Sequence, residues 1–166
     1  MLVDLARYGT ERRWVGYEEF MHALDEQKVG VRPGDFLLIN TGYGEAILRI
    51  GHEGDPGELG AVGAVLDGSD ARLLQWIADS DVVALCSDNQ AVEGYDMRPE
   101  RGEHDPRLPL HDLCLFRQGI HLGEMWQLGE LTAWLRANDR NAFLLTAPLL
   151  RLPGAVGSPV TPIATV

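Results

Sequence analysis

No run in the chain approaches 18 apolar residues, and the opening MLVDLARYG lacks a basic region leading into a long apolar one. A membrane-spanning helix and a secretory leader are therefore not expected, and the cytoplasm is the expected location. Cysteine is nearly missing. Cys86 and Cys114 each sit inside an apolar run and share no CxxC spacing, which fits reduced core thiols better than a disulfide scaffold. Positive charge is also in short supply: 14 Lys and Arg face 25 Asp and Glu, for a formal net charge of -11. With no basic cluster to offset that balance, a phosphate backbone is repelled, and neither nucleic acid nor a membrane is an expected partner. The phosphate-cradling patterns GxGxxG after a strand and GxxxxGK followed by Ser or Thr do not occur, and Gly42-Tyr43-Gly44 stands alone. Ser158 precedes Pro159 without a GxSxG elbow, which makes it a poor nucleophile candidate.

What is present is globular material. Hydrophobic residues make up 45% and charged residues 23% of the 166 positions, enough for one well-filled core in a single domain over residues 1–166. The 19 glycines and 9 prolines imply many tight turns between short elements. Residues 1–6 read as a short strand. In YEEFMHALDEQK, Tyr17, Phe20, Met21 and Leu24 recur at helical spacing, with His22 near the apolar stripe and Gly30 closing the helix. FLLIN at 36–40 reads as a buried strand, whereas 42–65 shows no steady period beyond a helix around 46–50. Ser69 or Asp70 caps a helix over 71–80 that runs into a strand at 81–86. The stretch from Ser87 to Pro109 is a long loop of the kind that lines a site. Helices follow at roughly 110–118, stopped by Gly119, and at 128–138, burying Leu128, Leu131, Trp134 and Leu135, before a strand at 142–147. This alternation predicts the α/β class, with a sheet covered by helices and antiparallel pairing where connections are short.

Two stretches hold candidate chemistry. LHDLCLFRQGIHLGEMWQLGEL brings His111, His121 and Glu124 close in sequence, and imidazole with carboxylate is what zinc or manganese requires. On one continuous helix His111 and Glu124 would face apart, but Gly119 breaks the helix and allows the second to fold back. The alternative is that His111 packs at a helix start and Glu124 merely opens the next element. Ser87-Asp88-Asn89-Gln90-Ala91-Val92-Glu93 follows a buried strand, where open sheets present binding loops. Asp88 and Asn89 are candidate substrate-binding residues there, the alternative being that they satisfy the loop's own backbone. His52 and His104 sit in loops with no recognisable partner.

These segments resemble the carboxyl-terminal half of the metal-dependent cyclase/hydrolase family that includes kynurenine formamidase and isatin hydrolase. The resemblance rests on LVDLAR at 2–7, VRPGDFLLINTGYG at 31–44, DVVALCSDNQAVE at 81–93, HDLCLFRQGIHLGEMWQLGEL at 111–131 and FLLTAPLLRLPGAVGSPVTPIA at 143–164, in the family's order. It implies a swivelling β/β/α fold with a mixed sheet flanked by helices. It also implies an arylformamidase-type hydrolysis of a formyl or cyclic amide by metal-activated water, as in tryptophan catabolism. By the same resemblance His111 and Glu124 are metal ligands, for Mn or Zn, and the Asp88 loop lies near the substrate. Trp126 and Tyr43 are candidates to line a pocket for a small aryl amide, with packing in the core as the alternative.

The family's main metal motif, of the form HxGTHxD, precedes the part that resembles LVDLAR, and no such stretch occurs here. The expectation is an incomplete domain that begins after that motif, with sheet edges or an apolar face left to be covered by self-association as a homo-oligomer. Two function classes follow. One is an amidohydrolase of the arylformamidase type; the other is a noncatalytic remnant or a binding or structural α/β protein.

Overall fold

The computed structural model describes residues 1–51, 54–95 and 105–166. Its main sheet takes four short strands, β1 (Leu2–Asp4), β3 (Phe36–Asn40), β5 (Ala84–Ser87) and β6 (His121–Gly123), in the order β1-β3-β5-β6. Every pairing in it is parallel, with Leu2 opposite Leu38, Leu38 opposite Cys86 and Cys86 opposite Gly123. Beside it lies a two-stranded parallel layer, β2 (Arg13–Val15) with β4 (Ala64–Leu66), and the antiparallel ribbon β7 (Leu144–Thr146) with β8 (Ile163–Thr165). The helices are α1 (Tyr17–Glu26), α2 (Tyr43–Ile50), α3 (Ala71–Asp79), α4 (Pro109–His111), which continues as a π-helix over Asp112–Gln118, and α5 (Gly129–Ala137).

Strands buried on both faces explain the near-continuous apolar runs. Alternation sends Val3, Leu37, Ile39 and Leu85 into one cluster with Phe20 and Leu24 of α1 and Leu73 and Ile77 of α3. Leu2, Leu38, Ala84 and Cys86 pack on the other side against Trp126, Leu128 and Leu135. Cys86 and Cys114 are free and buried, and burial pushes both thiols up to about 12, so they are inert core residues. Asp70, not Ser69, caps α3: its carboxylate accepts from Arg72 N and Leu73 N, and also from Tyr17 N at 2.7 Å, which joins the start of α1 to the start of α3. No helix among the described residues is long and apolar enough to cross a membrane.

Several local expectations are corrected. The first strand ends at Asp4 and gives way to a 3-10 turn over Leu5–Tyr8. Helix α1 stops at Glu26, before Gly30, because Lys28 turns into the left-handed region at φ 55. The strand expected from 81 starts at Ala84, since Asp81, at φ 54, belongs to the preceding turn. The sheet is parallel throughout, and among the described residues antiparallel pairing is confined to the β7–β8 ribbon and isolated bridges. Trp134 is 36% exposed, with the Arg140 guanidinium 5.3 Å from its ring centre, so α5 buries Thr132 and Leu135 without it, next to the buried Leu128 that precedes the helix. His22, expected near the apolar stripe, is exposed beside Glu26 at 3.5 Å. His52 and His104 lie outside the described residues.

Candidate functional site

The carboxyl ends of the parallel strands carry the polar groups. β5 ends at Ser87, and the ladder continues beyond the sheet: Ser87 O accepts from Trp126 N at 3.1 Å and Asn89 O from Met125 N at 2.9 Å. This pins the segment after β6 against the loop after β5 and fixes Glu124 between them. His111 arrives from the other side, at the end of α4, where Gly119 in the left-handed region, φ 70, stops the π-helix and returns the chain to β6.

His111 Nε2 lies 3.1 Å from Glu124 Oε1, and its Nδ1 lies 2.9 Å from Glu93 Oε1. The hydrogen bond with Glu124, then that with Glu93, raise the imidazole to about 9 against the opposing effect of burial. Glu93 is fully buried, and its carboxylate also accepts from Leu110 N at 3.0 Å and His111 N at 2.9 Å. It therefore satisfies two of the N–H groups that α4 leaves open, the helix starting at Pro109, which has none.

His111 and Glu124 both line an open groove of about 1270 Å³. Phe36, Leu115, Met125, Trp126 and Leu149 line much of its apolar wall. Trp126 thus reaches the groove although only 8% exposed, whereas Tyr43 is buried in α2 away from it. His121 is an exposed residue of β6 at the groove and makes no part of the carboxylate–imidazole chain.

Asp88 and Asn89 do not line the groove. Asp88 is buried, and its carboxylate accepts from Thr41 N and Thr41 Oγ1 at 2.8 and 2.7 Å and from Gly44 N at 3.0 Å. Burial pushes this carboxyl up while those donors pull it down, with a net rise. Asn89 bonds to Val92 N at 2.7 Å and to Ala64 O at 3.0 Å. Asp88 thus satisfies two backbone N–H groups and the Thr41 hydroxyl, and Asn89 satisfies backbone of its own loop and of β4. Glu93 is the residue that sequence reasoning missed: it closes the candidate stretch Ser87–Glu93, but at 18 positions from His111 no spacing linked the two.

Nitrogen and carboxylate donors 3.1 Å apart, facing a groove, with the far ring nitrogen held by a second carboxylate, have the chemistry of two members of a zinc or manganese centre. They do not complete one. Among the described residues no three His, Cys, Asp or Glu side chains are arranged to hold a metal ion, because Glu93 is turned to the opposite edge of the ring.

No protein-family model and no curated protein matches the sequence. Solved structures do match. A novel cyclase is 30% identical, with a TM-score of 0.80 over 99% of this chain and 52% of its own. A predicted metal-dependent hydrolase from Bacillus stearothermophilus is 17% identical, with a TM-score of 0.62 over 98% of this chain and 60% of its own. An isatin hydrolase bound to the product analogue thioisatinate is 14% identical, with a TM-score of 0.66 over 99% of this chain and 58% of its own. The chain has the cyclase/hydrolase fold and spans between half and two thirds of the length of these structures.

Proposed function

We propose that this chain carries part of the active site of a metal-dependent hydrolase of formyl or cyclic amides, with His111 and Glu124 as two of its metal donors. The observation that carries the reading is the His111–Glu124 pair, 3.1 Å apart, lining a groove that Trp126 also lines. The 30% identity to a cyclase over 99% of this chain supports the reaction class, and the isatin hydrolase supports a flat aryl amide as substrate. A bound zinc or manganese ion would supply Lewis acidity, acidifying water and polarising an amide carbonyl. The chain's own contribution is orientation. Glu93 holds the ring, the Ser87–Asn89 ladder holds Glu124, and the apolar wall offers a dry face for an aryl group.

Two donors leave a site short of the three protein ligands, with water as the fourth, that hold a catalytic zinc ion. Among the described residues no third donor joins them, and a second copy of the chain is one source of the rest. Exposed Leu144, Leu149, Leu150, Val156 and Ile163 along the final stretch support self-association as the route. Dilution from 100 to 1 µM in sedimentation velocity is expected to show a dimer dissociating. A monomer throughout would remove this part of the reading.

The isolated chain is expected to bind zinc weakly through His111 and Glu124 and to turn over N-formylkynurenine and isatin slowly or not at all. Zinc titration followed by ¹H–¹⁵N spectra, with turnover measured in parallel, tests this. No perturbation of His111 at saturating zinc would sink the metal reading, and fast turnover by a monomer would sink the incomplete site. The alternative, a noncatalytic binding protein, is favoured by the absence of a third donor among the described residues and would stand if zinc leaves His111 untouched.

A further inference from the structure

Two residues other than glycine adopt left-handed backbone beside the site, Val92 at φ 58 and Met125 at φ 59. A β-branched valine there is strained by about 1–3 kcal/mol and persists only where its surroundings impose it. Val92 immediately precedes Glu93, and Met125 immediately follows Glu124. The two unusual residues therefore adjoin the two carboxylates that flank His111.

Both are tied to Asn89. Its side-chain oxygen accepts from Val92 N at 2.7 Å, its amide donates to Ala64 O at 3.0 Å, and its carbonyl accepts from Met125 N at 2.9 Å. The side chain anchors the Val92 turn to β4 while the backbone anchors the Met125 turn to the loop after β5. Leu66 O also accepts from Gly94 N at 3.0 Å, so the residues flanking Glu93 run along β4 and cannot drift. Gly68 lies so close that a Cβ in its place would collide with Glu93 Oε2.

A carboxylate has no proton to give, so Nδ1 of His111 must donate to Glu93. Glu93 lies at 0% exposure with its oxygens on Leu110 N, His111 N and this ring nitrogen, and so has no freedom to turn. The ring is thereby presented with Nε2 toward Glu124 and the groove.

We propose that Glu93, set in place by Asn89, is a positioning residue for the donor pair, presenting His111 Nε2 and Glu124 to a shared divalent cation. The proposal rests on the metal reading given above, yet the ring geometry is testable without any metal. In metal-free protein at pH 7, long-range ¹H–¹⁵N spectra should show a slowly exchanging proton on Nδ1 of His111, retained in Glu124→Gln and lost in Glu93→Gln. Its absence from the unsubstituted protein overturns the proposal, whether or not Glu93→Gln folds. Zinc titration supplies the second readout: Glu93→Gln, with its amide spectrum otherwise preserved, should bind zinc about 10- to 100-fold more weakly. Asn89→Ala should lose the same Nδ1 signal. Equal zinc affinity in a folded Glu93→Gln protein overturns the positioning role and leaves Glu93 a helix cap. Should the unsubstituted protein bind no zinc, the metal reading fails, while the Nδ1 proton still decides the geometry.

Discussion

Replacing Glu124 by Gln removes the largest single cause of the raised imidazole pKa of His111. The rise from 6.5 to about 9 corresponds to about 3.4 kcal/mol if nothing weakens it. The ring is 22% exposed and Glu124 35%, so water in the groove screens the interaction, and about 2 kcal/mol is a realistic total for the two carboxylates. Glu124 then accounts for about 1 kcal/mol of it. A folded-state pKa raised above the unfolded one stabilises fully below pH 6.5, and that stabilisation is lost as pH rises through about 9. In Glu124→Gln the loss comes at lower pH. The stability gap between the two proteins should therefore be about 1 kcal/mol at pH 6–6.5 and close to zero by pH 10. Thiols, phenols and the amino terminus also titrate in this range but cancel in the difference. Urea unfolding of both proteins at each pH, with a chelator present, measures the gap, and an NMR titration of His111 locates the pKa. A gap that stays constant or widens toward pH 10 would refute the coupling, as would an imidazole that titrates near 6.5 in both proteins.

Asp88→Asn must turn an amide N–H₂ toward donors already present, either the two groups of Thr41 or Gly44 N, and should cost about 1–3 kcal/mol in urea unfolding with no change in zinc binding. Gly68→Ala forces a methyl against the Glu93 carboxylate and should destabilise by about 1–3 kcal/mol; a crystal structure of the variant should show His111 rotated with its partner. Asp70→Ala removes a cap shared by two helices and should lower stability by about 1–2 kcal/mol, with a fall in thermal midpoint and no shift in the His111 titration.

How much of this was legible depended on length and periodicity. FLLIN at β3 and the stripes of α1, α3 and α5 announce themselves because four or more residues repeat one environment. β2, β4, β6 and β8 are three residues each, too short to show alternation, and they are strands only because a partner lies alongside. His111 and Glu124 were readable as a pair through the Gly119 break, since glycine in the left-handed region turns a chain in one step. Trp134 was misread because a three-to-four spacing does not say how wide the buried stripe is. Glu93 was invisible as a partner of His111: the pairing depends on the strained turn at Val92, which no residue preference predicts, valine being among the worst choices for it.

The all-parallel sheet has a kinetic corollary. Leu2 meets Leu38, Leu38 meets Cys86 and Cys86 meets Gly123, each partner dozens of residues away, so no pair of neighbouring strands can close as a hairpin. Loop closure must come before the ladder bonds reward it, which makes the sheet the slow step of folding. Glu93, His111 and Glu124 are near one another in sequence, but the ladder that holds Asn89 against Met125 is an extension of β5 and β6. The cluster therefore cannot mature ahead of the slowest strand pairing, and a chain released before that pairing presents its apolar strand edges to other chains first.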